Sequence, residues 1–465
     1  MKKKFLFSLL AISMLFVSCF EDLDDNLQQA STIEIQDFIY RGLNFFYLYK
    51  ADTPELANDA FATNADKNAF LSSFDSPEAL FAYLKSPQDR FSILVDNYIE
   101  LENALSGVTL NNGMEYGLVF YSGNSGNVFG YVRYVLPNSD ADTKGIKRGD
   151  IFNTVNGTQI TASNFGSLLA PDSYTIGLAT ISGQDIVPTG ETVELVKEQY
   201  TENPIFIANT LNIGGENIGY LMYNAFTGDF DPQLNNAFGN FQADGVTKLV
   251  LDLRYNGGGS VRTAQDLASM ITGQFAGQLF YTEQWNEDRQ EEYAENEVFN
   301  TTLRNGTNIN SLNLSSVYII TSGSTASASE LVINSLKPYI NVIQIGTNTT
   351  GKFQASFLLY DAPAPQFSRS EANPAHTYAM LPLVFKTANA NGVTDFVDGL
   401  TPDIEQSENF ANLGILGDPD EPLLARALED IFPSQPKSYT DFEPLTELSE
   451  SKADSPIYQI MIAEK

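Results

Sequence analysis

The sequence predicts a multidomain chain in which a small helical domain and a β-rich unit precede an α/β core. Three shifts in pattern along the chain predict it. Aromatic and leucine positions recur at helical spacing near the N-terminus; short apolar runs broken by Gly, Asn and Asp follow; strand-like and helix-like segments then alternate. With 465 residues, 43% of them hydrophobic, the chain has enough apolar side chains to build a core in each unit.

The first 18 residues have the layout of an export signal. MKKKFLFSLLAISMLFVSC carries three lysines, an apolar run from Phe5 to Val17, and a small residue before a cysteine. The run is short for a membrane span. Cys19 is the only cysteine, which excludes disulfides and redox pairing. Residues 19–30, opening FEDLDDN after the cysteine, read as an acidic tether.

Residues 31–105 read as the helical domain, as in IQDFIYRGLNFFYLYK, with the aromatics expected in its core. Residues 106–200 change to the β-like runs GLVFYSG, GYVRYVL and GDIFNTVNG. From 203 to 432, NIGYLMYNAF, DPQLNNAFGNFQ, VTKLVLDLR and VRTAQDLASMI alternate, which argues for helices around buried parallel strands. Residues 433–465 are polar with little periodicity and read as a tail.

The charge excludes one class of partner. Against 26 basic side chains stand 58 acidic ones, a formal net charge of -32, and that field repels phosphate backbones. Nucleic-acid binding is therefore not expected. With one histidine and one cysteine, the chain also lacks a His-Cys ligand cluster, so no metal or other cofactor is called for.

The chemistry concentrates in three stretches. GSTASASELV, Gly323 to Val332, puts hydroxyl residues between the strand-like VYIIT and the helix-like ASELVINSL. A helix N-terminus offers free N–H groups to an oxyanion, although helix capping alone explains hydroxyls there. A nucleophilic serine needs a base. The sole histidine, His376, lies in the proline-flanked loop RSEANPAHTY, a setting that suits a structural role. TTGKFQAS supplies Lys352 with no acidic neighbour in the segment. A lysine acts as a base only when neutral, and bringing its pKa from about 10.4 to near 7 costs roughly 4 to 5 kcal/mol, which demands burial. The third stretch, LVLDLRYNGGGSV, ends a buried strand in three glycines whose N–H groups can approach a ligand closely. It lacks the G-x-x-x-x-G-K-[ST] pattern of a phosphate loop.

Together these stretches resemble peptidase family S41, the tail-specific or C-terminal processing serine peptidases. Thr325-Ala326-Ser327-Ala328-Ser329-Glu330 is followed 25 residues after Ser327 by Lys352, preceded by Gly351, and Asp252 to Gly259 spells the D-L-R-x-N-G-G-G strand end. The resemblance implies a crotonase/ClpP-like catalytic core with Ser327 as nucleophile, Lys352 as general base, and an oxyanion hole from Ala328 N–H and Gly258 or Gly257. NANGVTDFVDGLTPDI and GDPDEPLLARAL resemble later family segments, so the likeness runs from about Ile218 to Leu428. Where many members carry an orienting glutamine four residues after the lysine, this chain has Ser356, and Gln354 stands two residues after it. Glu330 is read as complementing the helix dipole in the first turn.

VRYVLPNSDADTKGIKRGDIFNTVNGTQI is similar to a PDZ pattern, with Tyr116-Gly117-Leu118-Val119 as the loop expected to capture a peptide carboxylate. FIYRGLNFFYLY and DRFSIL resemble the leading domain of Bacteroidetes members of the family. The N-terminal segment resembles a bacterial lipoprotein signal, which implies lipidation at Cys19 and anchoring to the outer membrane, facing periplasm or cell surface. The function implied is endopeptidase action on exported or extracellular polypeptides, with recognition of their C-termini. Two rivals stand beside it. A tethered protein of the same fold could bind peptides without cleaving them, which the Ser356 departure would suit. An acyl-CoA enzyme of the crotonase type would need adenine-nucleotide binding, for which the sequence has no feature.

Overall fold

The computed structural model describes residues 29–123, 126–183, 185–433 and 446–464. Cys19 and the signal-like segment lie outside the described residues.

The N-terminal helix Thr32–Phe46 forms where Ile35, Phe38, Ile39, Leu43 and Phe46 fall on one buried face, and Glu34 turns back to accept the Ser31 N–H at 2.7 Å. Shorter helices Asn64–Leu71, Pro77–Leu84 and Tyr98–Leu105 complete this part, with a strand, Ile93–Val95, between the last two. The strand pairs with Ala379–Leu381, and the Phe46 ring meets Trp285 and Phe357 at centroid distances of 6.2 and 5.5 Å. The helical part is thereby welded to the core by one continuous hydrophobic cluster.

The core is built on a six-stranded sheet in the order Ile205–Ile213, Glu216–Tyr223, Lys248–Asp252, Ser316–Thr321, Asn341–Gly346, Ile404–Glu405. Consecutive apolar residues such as Leu249, Val250 and Leu251 are buried on both faces, as parallel strands covered on two sides require. Tyr220, Met222 and Val250 face the helix Pro422–Ile431; Leu221, Leu249 and Leu251 face Val261–Thr272 and Ala328–Leu336. The expectation of parallel strands holds for all neighbours except the edge strand Ile205–Ile213, which forms an antiparallel hairpin with Glu216–Tyr223 across the turn at Gly214 and Gly215. A second six-stranded sheet runs Gly259–Ser260, Met461–Ile462, Gln354–Ser356, Leu383–Ala388, Leu279–Trp285, Asn296–Val298. Both sheets end near the hydroxyl-rich turn.

The β-rich region is an antiparallel sheet through Met114–Phe120, Val128–Val135, Ile151–Val155, Ser173–Ser182 and Asp185–Val196. Two sequence expectations fail here. Tyr116 to Val119 do not form a loop: Gly117 sits in mid-strand, and alternate burial of Leu118 and Val119 on opposite faces holds the stretch extended. Nor do residues 446–464 behave as a tail. Glu447–Glu450 forms the outermost strand of this sheet, against Met114–Phe120, and Met461–Ile462 enters the second core sheet. Backbone pairing, to which hydropathy is blind, places both.

Candidate active site

Ser327 immediately precedes the helix Ala328–Leu336 and adopts φ 67°, ψ −117°, a conformation that a side-chain-bearing residue holds only when its surroundings impose it. The imposition is visible. Thr325 Oγ1 donates to Leu253 O at 2.8 Å, Ala326 N–H to Asn256 O at 3.1 Å, and Ser329 Oγ to the same Asn256 O at 3.0 Å. Ser329 is thus occupied in structure, whereas the buried Ser327 Oγ has no hydrogen-bond partner. That asymmetry singles out Ser327 among the hydroxyls of the turn.

Lys352 follows Gly351, whose φ of 88° and contact with Val397 O, 2.4 Å from where a Cβ would sit, require glycine. The lysine is fully buried and its Nζ likewise lacks a partner. Burial pushes its pKa down to about 7, with the more distant carboxylates Asp89 and Glu330 opposing part of that shift. The Phe91 ring lies 5.0 Å from Nζ. The apolar setting that the sequence left open is supplied by the N-terminal part of the chain. Arg90 binds the lysine loop as well, donating to Gly351 O at 3.0 Å, and Asp89 is fixed by Tyr47 Oη at 2.8 Å and by the N–H groups of Phe91 and Ser92.

Glu330 is the hub of the site. Its carboxylate, fully buried, accepts the Ser327 N–H at 2.7 Å and the Lys352 N–H at 2.8 Å on one oxygen, and the Gly351 N–H at 2.7 Å and Thr349 Oγ1 at 2.5 Å on the other. The dipole reading of Glu330 is therefore too small a role. One carboxylate satisfies the backbone of both loops. Burial raises its pKa, and the four donors oppose that rise.

The glycine loop is held from behind by Arg254, which is completely buried and hydrogen-bonds Asp252, Glu408 and Glu421 at 2.7 to 3.1 Å. Tyr255 and Arg148 share Glu408. Glu408 and Glu421 are far from Arg254 in sequence, and although Glu421 falls in the quoted GDPDEPLLARAL segment, only the fold reveals that both bind Arg254. Gly258 has φ 109°, and its N–H donates to Asn256 Oδ1 at 2.9 Å. A Cβ there would fall 2.6 Å from Ser327 Cβ. Gly257 is the adjoining candidate, and Ala328 stands at the first helical position, where an N–H has no acceptor within the helix.

The two candidates for a third member lie on Gln354–Ser356. The strand shifts register between Ala355 and Ser356, so the two residues do not follow a regular pleat. Gln354 Nε2 donates to Tyr49 Oη at 2.8 Å, while its buried Oε1 has no partner. Ser356 O accepts the Ala463 N–H at 3.0 Å. His376 Nε2 lies 3.0 Å from Asp361 Oδ2 and its Nδ1 accepts the Tyr378 N–H, a fully engaged structural histidine as expected from its loop.

Residues 217–367, which contain Ser327 and Lys352, match Peptidase family S41, and residues 34–93, which contain Asp89 and Phe91, match the Peptidase S41 N-terminal domain. Among curated proteins the chain is 24% identical over 292 residues to the chloroplastic C-terminal processing peptidase of Tetradesmus obliquus, covering 60% of this chain and 59% of that one. It is 24% identical over 234 residues to the carboxyl-terminal-processing protease of a Picosynechococcus strain, covering 49% and 52%. The chain thus spans between half and three-fifths of the length of these relatives. A crystal structure from Bacteroides fragilis NCTC 9343 assigned to the S41 proteases superimposes with a TM-score of 0.65 at 27% identity, covering 86% of this chain and 98% of that one. The photosystem II D1 C-terminal processing protease shares the fold, with a TM-score of 0.50 at 18% identity over 86% and 98% of the two chains. The chain is thus similar to peptidase family S41 around the serine and lysine, and to that family's N-terminal domain ahead of them.

Proposed function

We propose that the chain is a serine endopeptidase that hydrolyses polypeptides with a Ser327–Lys352 dyad. The observation that carries this reading is the pair of buried, unpartnered groups, Ser327 Oγ and a Lys352 amine whose pKa is brought down to about 7, on two loops tied to one carboxylate. Neutral Lys352 removes the Ser327 proton as the oxygen attacks a peptide carbonyl. Ala328 N–H and the Gly257 N–H receive the oxyanion, the Gly258 N–H being held by Asn256 Oδ1. The protonated lysine then gives its proton to the departing amine, and water attacks the acyl-enzyme to regenerate the serine. Gln354 serves as the orienting residue once its free Oε1 turns to the lysine. No step calls for a cofactor.

The antiparallel sheet from Met114 to Val196 acts in this reading as a PDZ-like peptide-binding unit, and lipidation at Cys19 holds the enzyme on the cell envelope facing exported substrates. The test is digestion of an unfolded protein and of a peptide with a free apolar C-terminus by the chain from Phe20 onward. Cleavage that vanishes in Ser327→Ala and in Lys352→Ala supports the reading. Peptide binding without cleavage by the unmutated chain would replace it with the tethered binder.

A further inference from the structure

Residues 446–464 run from the edge of the antiparallel sheet to the glycine loop beside Ser327. At the upstream end they add a strand to Met114–Phe120: Phe120 N–H donates to Thr446 O at 3.1 Å and Ser451 N–H to Tyr116 O at 2.9 Å. The Arg133 guanidinium, buried on the neighbouring strand, pairs with both Glu447 and Glu450, and Ser324 Oγ donates to Glu450 at 2.8 Å. Lys452 Nζ is 3.1 Å from Glu202, and Ser451 Oγ bonds Glu115. At the downstream end Gln459 Nε2 donates to Thr350 Oγ1 at 3.1 Å, and Ile460 O accepts the Gly259 N–H at 2.8 Å. The position a Cβ would take on Gly258 lies 2.5 Å from Ile460 O and 2.8 Å from Ser327 Oγ, so the segment and the nucleophile flank the same glycine. A cavity of about 670 Å³ opens beside it, lined among others by Leu110, Phe226, Gly257, Pro456 and Tyr458.

The contacts are those of a docked peptide. Strand addition supplies sequence-independent hydrogen bonds, and matched charges supply selectivity. The upstream half is fastened chiefly by ion pairs and polar groups, with one apolar side chain, Leu448, packed on the core of the sheet. Because Arg133 is buried, salt screens these pairs little, and reversing their charges is what unseats the strand.

We infer that this path is the polypeptide track of the enzyme, that it takes an extended segment bearing two carboxylates three residues apart and a lysine two residues later, and that residues 446–459 fill it as a built-in competitor tethered by Met461, which stays in the second core sheet. The regulatory consequence rests on the peptidase reading, whereas the docking itself needs no chemistry.

The test therefore uses the full chain carrying Ser327→Ala and follows, by fluorescence anisotropy, a labelled synthetic peptide with the sequence of residues 446–459. The parent should bind it weakly because the site is filled. Reversing the charges of the resident segment with Glu447→Arg and Glu450→Arg should tighten peptide binding at least tenfold, and adding Arg133→Glu should abolish that binding by restoring the resident segment. In the catalytic background the doubly reversed chain should cleave unfolded protein several-fold faster than the unmutated one. Equal peptide binding by parent and reversed chains with unchanged melting curves would overturn the inference. So would a broad, lowered melt of the reversed chain, which would make the segment a structural strand. If no background cleaves but the binding pattern holds, the peptidase reading fails and the track stands.

Discussion

Ser327 and Lys352, 25 residues apart, donate their backbone N–H groups to the same oxygen of Glu330, at 2.7 and 2.8 Å. The relative position of nucleophile and base is therefore set by one buried carboxylate. Glu330→Gln would turn one acceptor oxygen into an N–H donor facing two donors. We expect a melting temperature lowered by the equivalent of about 2 to 3 kcal/mol and kcat reduced at least a hundredfold, read by thermal melting and peptide hydrolysis.

Lys352 is destabilising in the folded state. Its pKa falls from about 10.4 in the unfolded chain to about 7 in the fold, so below pH 7 the unfolded chain holds one proton more tightly. The resulting cost is greatest below pH 7 and disappears as pH rises toward 10.4. Lys352→Met should abolish hydrolysis while stabilising the protein by up to about 4 kcal/mol at pH 7. Denaturant titrations of both proteins at pH 7 and pH 10 check this, the gain shrinking at the higher pH.

Phe91 belongs to the N-terminal part of the chain and closes one side of the lysine pocket. Phe91→Ala should admit water and relieve the burial that depresses the lysine. The acid limb of the rate profile should then move up by about one pH unit. An unmoved limb would mean that this ring contributes packing alone.

Gly258→Ala places a methyl group against Ser327 and demands φ 109° of an alanine. Hydrolysis should fall at least a hundredfold. Gly323→Ala, where a Cβ meets nothing within 4 Å, serves as the control and should retain activity.

The catalytic elements were legible in the sequence because they are local: a strand, a glycine turn and a hydroxyl-rich helix start each announce themselves within about ten residues. Singling out Ser327 needed the family likeness, since spacing alone cannot tell it from Ser329. The hydrogen bond from Ser329 to Asn256 O supplies the physical distinction. Glu330 was visible but underestimated, because its partners lie 19 to 22 residues downstream. DRFSIL and GDPDEPLLARAL are legible as family-like segments, but the contacts of Asp89 and Phe91 with the lysine pocket and of Glu421 and Glu408 with Arg254 were hidden for the same reason, that long-range burial leaves no periodic trace. The last segment misled most. Glu447 to Glu450 is polar because its partner is a sheet edge and an arginine, and that composition reads as a tail.

The most direct measurement of the dyad is the pH dependence of covalent labelling at Ser327 by a serine-directed fluorophosphonate, followed by intact mass and peptide mapping. The account predicts one label per chain, on Ser327, at a rate that rises with a midpoint near pH 7 and collapses in Lys352→Met. Labelling at another residue, or a rate that climbs only near the ordinary lysine pKa of about 10.4, would contradict it.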